Sequence, residues 1–112
     1  MTEEPAKERL KAINTRFAAL AKAAPQPMGA FRSLMIEASR DGVLPTKFKE
    51  LLAVGIAVHQ GCADCIVFHV GSAKSHGASR VELAEVLGVC VEMGGGPSSV
   101  YAGQALAAFD EL

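Results

Sequence analysis

The fold of this chain is decided by residues 46–77, which read TKFKELLAVGIAVHQGCADCIVFHVGSAKSHG. The segment opens with a helical pattern that is apolar on every face through its middle, which is typical of a buried central helix. Thr46 is the expected N-cap of this helix, and Gly61 suits the left-handed position that closes it. A second helix is predicted over about residues 63–76, ending at Gly77. The segment thus predicts two consecutive helices at the centre of the fold.

Helical periodicity continues on both sides of this segment, and no sustained strand pattern interrupts it. Ser79 and Glu82 form a capping box at the start of a fifth helix. Gly94-Gly95-Gly96 is the expected turn before a sixth helix, in whose first turn Pro97 is well suited. The predicted helices cover about residues 5–24, 28–40, 46–60, 63–76, from 79 onward, and from 97 to the C-terminus. We therefore predict an all-α fold, with residues 1–112 forming a single domain of about six helices.

Composition narrows the class of protein further. Half of the 112 residues are hydrophobic and the mean hydropathy is +0.25, which suggests that part of the surface is buried against other subunits. The net charge is −1 without a basic stripe, which argues against nucleic acid as a partner. The longest apolar run, residues 51–58, is too short to span a membrane. Residues 1–5 lack the apolar core of a secretory signal, so a cytoplasmic protein is expected.

Two cysteines carry the main chemical signal of the sequence. Cys62 and Cys65 are three residues apart at the start of a predicted helix, where their sulfurs can bond with little backbone movement. Free amides and the helix dipole stabilise a thiolate at this position. His69 follows Cys65 by four residues and so lies over it on the same helix face, where it can accept or donate a proton. The pattern predicts a redox-active dithiol with an imidazole partner.

Glu50 is a further candidate because it adjoins the most apolar stretch of the chain. It precedes Gly61 by 11 residues, about 16 Å of helix, and His69 follows Gly61 by 8 residues, about 12 Å. If the helices on either side of Gly61 are antiparallel, Glu50 and His69 lie at similar depth, and the carboxylate can orient the imidazole. The spacing is equally compatible with an ordinary first-turn glutamate favoured by the helix dipole.

Two further roles of the cysteines are compatible with the sequence. They can simply fill space in the core. Alternatively, Cys62, Cys65 and His69 can be three zinc ligands, completed by a fourth. The candidates for that fourth ligand are Glu50, His59 and His76. Structural zinc sites usually draw on two separated ligand pairs, and the sequence holds only one.

The remaining polar and sulfur-bearing candidates have simpler roles. His59 and His76 fall in the last turns of helices, where a cation is favoured, so capping is the expected role. Cys90 lies on an apolar stripe and is expected to be an inert core residue. Asp64 lies between the two cysteines and would oppose thiolate formation if it pointed inward. We therefore expect it to face solvent or a partner subunit.

Glu50 followed by Cys62-x-x-Cys65-x-x-x-His69, with Gly61 just ahead, resembles the alkylhydroperoxidase D-like branch of the carboxymuconolactone decarboxylase family. The match covers roughly residues 29–104, and further matching positions are Ala73, Gly77 and Glu82 to Glu85. The resemblance implies an all-helical homotrimer or homohexamer. It also implies reduction of hydroperoxides or disulfides, with no cofactor beyond the Cys62–Cys65 disulfide. The electrons would come from a dithiol donor such as lipoamide, or pass on to a peroxiredoxin partner.

Within this resemblance, Cys65 corresponds to the sulfur that attacks peroxide and Cys62 to the one that resolves the sulfenic acid, while His69 and Glu50 correspond to the proton relay. The best-known peroxidase members carry a histidine where this chain has Asp64. The decarboxylase branch generally lacks the CxxC motif, so lactone decarboxylation, with His69 and Glu50 as acid and base, is the less favoured activity. A zinc-stabilised module without catalytic activity is the alternative from a different class.

Overall fold

The computed structural model describes residues 4–112, which form one all-α domain. Residues 1–3, part of the N-terminal segment considered above, lie outside this range. Five helices follow one another in the order α1 (Ala6–Ala23), α2 (Pro25–Ser39), α3 (Thr46–Gln60), α4 (Ala63–Ser75) and α5 (Arg80–Glu111). The predicted fold class is confirmed.

The α3–α4 connection consists only of Gly61 and Cys62, and it positions the two cysteines. Gly61 adopts φ 70° and ψ 33°, the left-handed conformation predicted for it. The N–H of Cys62 then donates to the carbonyl of Ala57 at 3.1 Å, which satisfies a carbonyl at the end of α3. A Cβ at position 61 would lie 3.2 Å from the ring of Tyr101, so close packing also favours glycine here. The chain can therefore turn directly from α3 into the CxxC motif.

The start of α3 differs from the prediction, in which Thr46 was the N-cap. Pro45 is the N-cap and Thr46 is the first helical residue. The carboxylate of Asp41 accepts the N–H of Thr46 at 2.7 Å, while the Thr46 hydroxyl donates to the carbonyl of Ser39. Because this N–H bond favours the carboxylate form, the pKa of Asp41 is lowered. An upstream aspartate thus satisfies the free amide instead of the threonine hydroxyl.

The C-terminal third contains one kinked helix where two were predicted. The capping box of Ser79 and Glu82 is confirmed at the start of α5. The helix then bends at Gly95, with φ 69° and ψ −144°, and continues without an intervening loop. Pro97 lies just beyond this bend, where its missing N–H costs little. One non-helical residue, Gly95, is enough to change the direction of the helix axis. The two last predicted helices are therefore one helix in the structure, and the domain has five helices instead of six.

The α1–α2 connection is also shorter than predicted. The second helix begins at Pro25, three residues before the predicted start at Met28, with Pro25 and Pro27 in its first turn. Proline is compatible with that position because its N–H would have no helical partner there. Residues 25–27 therefore form the first turn of α2 directly after Ala24, the residue that follows α1.

The core is formed mainly by α3, α4 and α5, with α1 contributing Ala6 and Ile13. Val54, Val58, Ile66, Val70 and Leu83 are its most deeply buried large residues. The predicted central helix α3 contributes Leu51, Val54, Ala57 and Val58 to the core, but it is not fully buried in the single chain, since Leu52 and Ile56 are about half exposed. No residue of α2 is buried, and its apolar residues Phe31, Leu34 and Ile36 are likewise exposed.

Among residues 4–112, no helix is long and apolar enough to cross a lipid bilayer.

Candidate functional site

The two cysteines of the CxxC motif lie at the start of α4 as predicted, and they form a disulfide. Cys62 is the N-cap and Cys65 lies in the first turn, with their Cα atoms 5.2 Å apart. The Cys65 N–H donates to the Cys62 sulfur at 3.2 Å. A sulfur thus takes the position that serine or aspartate usually fills at a helix start, where the free amides favour negative charge. The local structure suits a thiolate at Cys62 when the pair is reduced.

Glu50 and His69 are in direct contact, which sequence spacing could not decide. The carboxylate oxygen Oε2 of Glu50 lies 2.8 Å from Nδ1 of His69. Glu50 belongs to α3 and His69 to α4, so the pair joins the two helices across the hairpin. Glu50 is buried, whereas the His69 side chain keeps 29% of its surface exposed. The Glu50 carboxylate therefore contacts the buried side of the His69 ring, and the other side of the ring remains partly accessible.

The charge on Glu50 determines which nitrogen of His69 carries a proton. Burial favours the neutral acid, but the hydrogen bond and charge of His69 outweigh it, and the pKa of Glu50 lies below its usual value. An ionised carboxylate can only accept, so Nδ1 must donate to it. Nε2 is then the nitrogen of His69 that is free to exchange a proton with another group.

Asp64, the residue between the cysteines, points away from the dithiol toward α1. Its carboxylate lies 2.9 Å from a guanidinium nitrogen of Arg16 and 3.5 Å from one of Arg9. The Asp64 side chain is 52% exposed, in agreement with the expectation that it would face outward. Two arginines face one carboxylate, so the local charge beside the dithiol is net positive. The two arginines thus offset the negative charge that Asp64 places beside the dithiol.

A cavity of about 390 Å³ lies beside Cys65 and His69. Helices α1, α2 and α4 line it, with the apolar residues Ile13, Phe17, Leu20, Phe31, Met35 and Phe68. Arg16 and Asp64 complete the lining, whereas Cys62 does not belong to it. A molecule in this cavity therefore contacts Cys65 and His69 but not Cys62.

A second cavity, of about 400 Å³, lies on the carboxylate side of His69. Glu50, Ser72 and Lys49 are among its lining residues, and His69 and Phe68 border both cavities. His69 is therefore accessible from both cavities, whereas Glu50 lines only the second.

The residues that the sequence assigned to minor roles remain outside the site. His76 is the C-cap of α4, and its Nδ1 lies 2.8 Å from the carbonyl of Ser72, which confirms its capping position. His59 lies exposed in the last turn of α3. Cys90 is a free, buried cysteine against the core, and burial raises the pKa of its thiol. Its predicted character as a core residue is confirmed.

The zinc alternative finds no ligand set in the structure. Within residues 4–112, no three histidine, cysteine, aspartate or glutamate side chains are arranged to hold a metal ion. His76, one of the proposed fourth ligands, instead caps α4. Cys62 and Cys65 are bonded to each other, and Nδ1 of His69 is occupied by Glu50.

Sequence reasoning missed the contribution of α1 and α2 to the site. Arg16 precedes Asp64 by 48 residues, and Phe31 and Met35 lie on a helix that contributes nothing to the core. The sequence offers one signal, the helical spacing of apolar residues on these two helices, among them Phe17 and Phe31. An apolar stripe indicates that a face is covered, but it does not identify what covers it.

Comparison with known sequences places these residues in a family. The sequence profile described as the carboxymuconolactone decarboxylase family matches residues 22–108. An uncharacterised protein of Cupriavidus necator is 52% identical over 106 residues, covering 95% of this chain and 94% of its own length. An uncharacterised protein of the cox locus of Paracoccus denitrificans is 36% identical over 83 residues, covering 74% of this chain and 75% of its own.

Solved structures support the same family assignment. A crystal structure of a carboxymuconolactone decarboxylase family protein from Legionella pneumophila superposes with a TM-score of 0.91 at 44% identity, covering 95% of each chain. A crystal structure of a protein from Thermotoga maritima superposes with a TM-score of 0.86 at 25% identity, covering 94% of this chain and 92% of that one. The profile match and these likenesses agree with the CxxC, His69 and Glu50 pattern. The chain belongs to the carboxymuconolactone decarboxylase family.

Proposed function

We propose that this protein is a thiol-dependent hydroperoxide reductase of the alkylhydroperoxidase D-like type. The observation that carries the proposal is the shared cavity. Cys65 and His69 line it together, while Glu50 holds the far nitrogen of the imidazole at 2.8 Å. A sulfur nucleophile, a proton carrier and an apolar space for the substrate are thus brought to one place. These are the components that thiol-based peroxide reduction requires.

The position of each cysteine supports a division of roles between them. Cys65 lines the cavity and is assigned the attack on peroxide, whereas Cys62 does not line it and is assigned the resolving step. Cys62 accepts the Cys65 N–H at the helix start, which favours its thiolate form and hence its reaction with an oxidised neighbour. The stronger helix-start stabilisation at Cys62 is therefore compatible with peroxide attack by Cys65.

The proposed cycle oxidises Cys65 first and then forms the Cys62–Cys65 disulfide. His69 takes the proton of the Cys65 thiol, and the thiolate attacks the terminal peroxide oxygen, breaking the O–O bond. Cys65 becomes a sulfenic acid, and the departing alkoxide takes the proton from His69 to leave as an alcohol. The Cys62 thiolate then attacks the sulfenic sulfur, and hydroxide leaves with the thiol proton as water. An external dithiol returns two electrons and two protons to the disulfide.

Glu50 is assigned a positioning role in this cycle. Because its carboxylate accepts from Nδ1, it fixes the ring and leaves Nε2 for proton exchange. Its negative charge also stabilises the imidazolium that forms when His69 takes the thiol proton. The burial of Glu50 supports this role, since burial alone would raise the pKa of its carboxyl group and the contact with His69 instead lowers it.

The assembly and the electron donor are parts of the same proposal. Leu52, Ile56 and Val100 are among many exposed apolar residues, which supports assembly into a homotrimer or homohexamer. A dithiol such as lipoamide, or a peroxiredoxin partner, is the proposed exchange partner of the disulfide.

A further crystal structure of the Thermotoga maritima protein shares the fold, with a TM-score of 0.71 at 24% identity over 86% of this chain and 88% of that one. A role in an antioxidative response has been suggested for that protein.

Counting thiols tests this function directly. The reduced protein holds three thiols, those of Cys62, Cys65 and Cys90. One equivalent of cumene hydroperoxide is expected to remove two of them and leave the buried Cys90 titratable after denaturation. Steady turnover with dihydrolipoamide is expected to disappear in the double variant Cys62→Ser, Cys65→Ser and to persist in Cys90→Ser. Full turnover by the double variant would contradict the proposal. Turnover of a carboxymuconolactone by that variant would favour the decarboxylase activity instead.

A further inference from the structure

Met35 on α2 lies where three cavities adjoin. It lines the cavity of about 390 Å³ beside Cys65, the cavity of about 400 Å³ beside Glu50, and a third cavity of about 420 Å³ between α1 and α2. Phe31 and Phe68 are the other described residues that line all three. Of these three side chains, only Met35 carries an atom that a peroxide readily oxidises, its thioether sulfur. The proposed peroxide reduction does not use this sulfur.

A hydroperoxide that reaches Cys65 is held beside this second sulfur. Cys65 and Met35 line the same cavity, and the ring of His69 lies on its wall. While Cys65 is a thiolate, it reacts first, because the thiolate is the nucleophilic form of sulfur. Once Cys65 is bonded to Cys62, as in this structure, no thiolate remains at the cavity. The thioether of Met35 is then the remaining oxidisable sulfur among the described lining residues.

Oxygen transfer to Met35 can use the proton carrier of the site. The thioether sulfur attacks the terminal peroxide oxygen, the O–O bond breaks, and the alkoxide leaves with a proton from Nε2 of His69. The hydroxysulfonium formed at Met35 then returns a proton to His69 and becomes the sulfoxide. The sulfur loses two electrons, and the hydroperoxide gains them and leaves as an alcohol. The step therefore needs no oxidant other than the hydroperoxide.

The position of Met35 allows this change without damage to the core. No residue of α2 is buried, and Met35 itself is half-buried. The cavity wall therefore becomes more polar while the packing of α3, α4 and α5 is retained. A sulfoxide oxygen is polar and accepts hydrogen bonds. Nε2 of His69, the ring nitrogen not held by Glu50, can donate to it and is then less available to Cys65.

We infer that Met35 is an oxidation site that lowers the activity of the dithiol when its reductant is exhausted. The inference rests on the proposed function, from which it takes the hydroperoxide as oxidant. While an external dithiol keeps Cys65 reduced, peroxide is consumed there and Met35 remains a thioether. When the Cys62–Cys65 disulfide accumulates, peroxide converts Met35 to a sulfoxide instead. Reduction by methionine sulfoxide reductases restores the thioether.

Peptide mass spectrometry tests where the oxygen is added. Trypsin places Met28, Met35 and Met93 on three different peptides. The disulfide form is treated with cumene hydroperoxide, and a parallel sample with chloramine T, a general oxidant whose attack follows the accessibility of each thioether. The ratio of Met35 to Met93 oxidation is expected to be about tenfold higher with cumene hydroperoxide, because a held reactant and a positioned acid act only at Met35. An equal ratio with the two oxidants would overturn the inference.

Met28 is the matched control on the same helix. It is also half-buried and lines the third cavity, but it does not line the cavity beside Cys65. Its oxidation relative to Met93 is expected to be the same with both oxidants, and an enhancement equal to that of Met35 would overturn the assignment. His69→Asn is expected to remove the preference for Met35. A preference kept in full by that variant would overturn the role of His69.

Recovery of activity tests the effect of the modification. After the peroxide is removed and the disulfide is reduced, turnover by the oxidised protein is expected to be about tenfold lower, the effect of one hydrogen bond to a charged group. Methionine sulfoxide reductases for both epimers should restore it, whereas they do not repair an over-oxidised cysteine. Failure of these enzymes to restore turnover would place the damage at a cysteine and overturn the regulatory role.

Two methionine variants complete the test. Met35→Leu keeps a similar apolar volume without the sulfur and should retain its own initial rate after the same treatment. Met93→Leu should lose activity as the native protein does. An equal loss in Met35→Leu would overturn the inference while leaving the proposed function intact. Preferential oxidation of Met35 in a protein whose thiols do not reduce peroxide would defeat the proposed function instead.

Discussion

The carboxylate of Glu50 lies 2.8 Å from Nδ1 of His69, across the hairpin formed by α3 and α4. The two residues are 19 positions apart, and the left-handed turn at Gly61 brings them to the same depth. Because the carboxylate is buried and ionised, it holds one ring nitrogen as a donor and leaves the other for the cavity. The contact therefore stabilises the α3–α4 hairpin only while the Glu50 carboxyl group is ionised.

Replacing Glu50 is expected to slow peroxide reduction more than it weakens the fold. Glu50→Gln retains a hydrogen-bond acceptor but loses the charge that stabilises the imidazolium. We expect a fall in kcat on the order of ten- to hundredfold, and a loss of unfolding free energy of about 1 kcal/mol. Steady-state kinetics and urea unfolding measure the two effects. Glu92→Gln, an exposed substitution on α5, is the control and should change neither quantity.

The same residue predicts a defined pH dependence of stability. The folded pKa of Glu50 is lower than its ordinary value of 4.5, so folding favours its ionised form. Its contribution to stability is complete above about pH 4.5 and is lost as the pH falls through the lower, folded value. Urea unfolding from pH 7 down to pH 3 is expected to show a steeper loss of stability in the native protein than in Glu50→Gln. Parallel curves would contradict the ion pair.

Single cysteine variants distinguish the attacking sulfur from the resolving one. In Cys62→Ser, peroxide is expected to convert Cys65 to a sulfenic acid that persists, because the neighbouring thiol is absent. Dimedone labelling followed by mass spectrometry should find one adduct, at Cys65. In Cys65→Ser, peroxide consumption is expected to fall to the background level. A dimedone adduct at Cys62 in Cys65→Ser, formed as fast as the adduct at Cys65, would reverse the assignment.

Neutralising Asp64 is expected to make the dithiol more reactive. Asp64→Asn leaves the guanidinium groups of Arg9 and Arg16 without their carboxylate, which raises the positive potential at the start of α4. Alkylation of the reduced protein by iodoacetamide at pH 7 should become faster, with a loss of unfolding free energy below about 1 kcal/mol, since the ion pairs are exposed. Glu37→Gln, which breaks the exposed pair with Arg40, serves as the control. Slower alkylation in Asp64→Asn would refute this role of the arginines.

Gly94 and Gly96, on either side of the kink in α5, are expected to respond differently to substitution by alanine. A Cβ at Gly94 would lie 2.8 Å from the Cβ of the buried Ser98, and closer still to its hydroxyl, so Gly94→Ala is expected to cost about 1–3 kcal/mol. A Cβ at Gly96 would meet no atom within 4 Å, and Gly96→Ala should be neutral or stabilising by up to about 1 kcal/mol. Thermal unfolding measures both variants. Equal destabilisation in the two would argue against a packing effect at Gly94.

Local patterns were sufficient to predict most helix ends and the position of the dithiol. Glycine at position 61 and the Ser79–Glu82 capping box act within a few residues, so their geometry follows from residue type. The Cys62, Cys65 and His69 spacing likewise determines their shared helix face. Where local prediction failed, the details of a turn were responsible. Asp41 replaced Thr46 as the acceptor at the start of α3, and Gly95 alone leaves the helical conformation in α5, so the helix continues where a break was expected.

The sequence alone therefore determined that the chain is helical and that it carries two sulfurs and an imidazole on one helix face. Only the tertiary structure decided that Glu50 contacts His69, that Asp64 pairs with Arg9 and Arg16, and that α1 and α2 complete a cavity over Cys65. Helix periodicity depends on neighbours three or four residues apart, and residue type encodes it. Contacts between helices depend on how whole faces pack, and sequence spacing does not specify which faces meet.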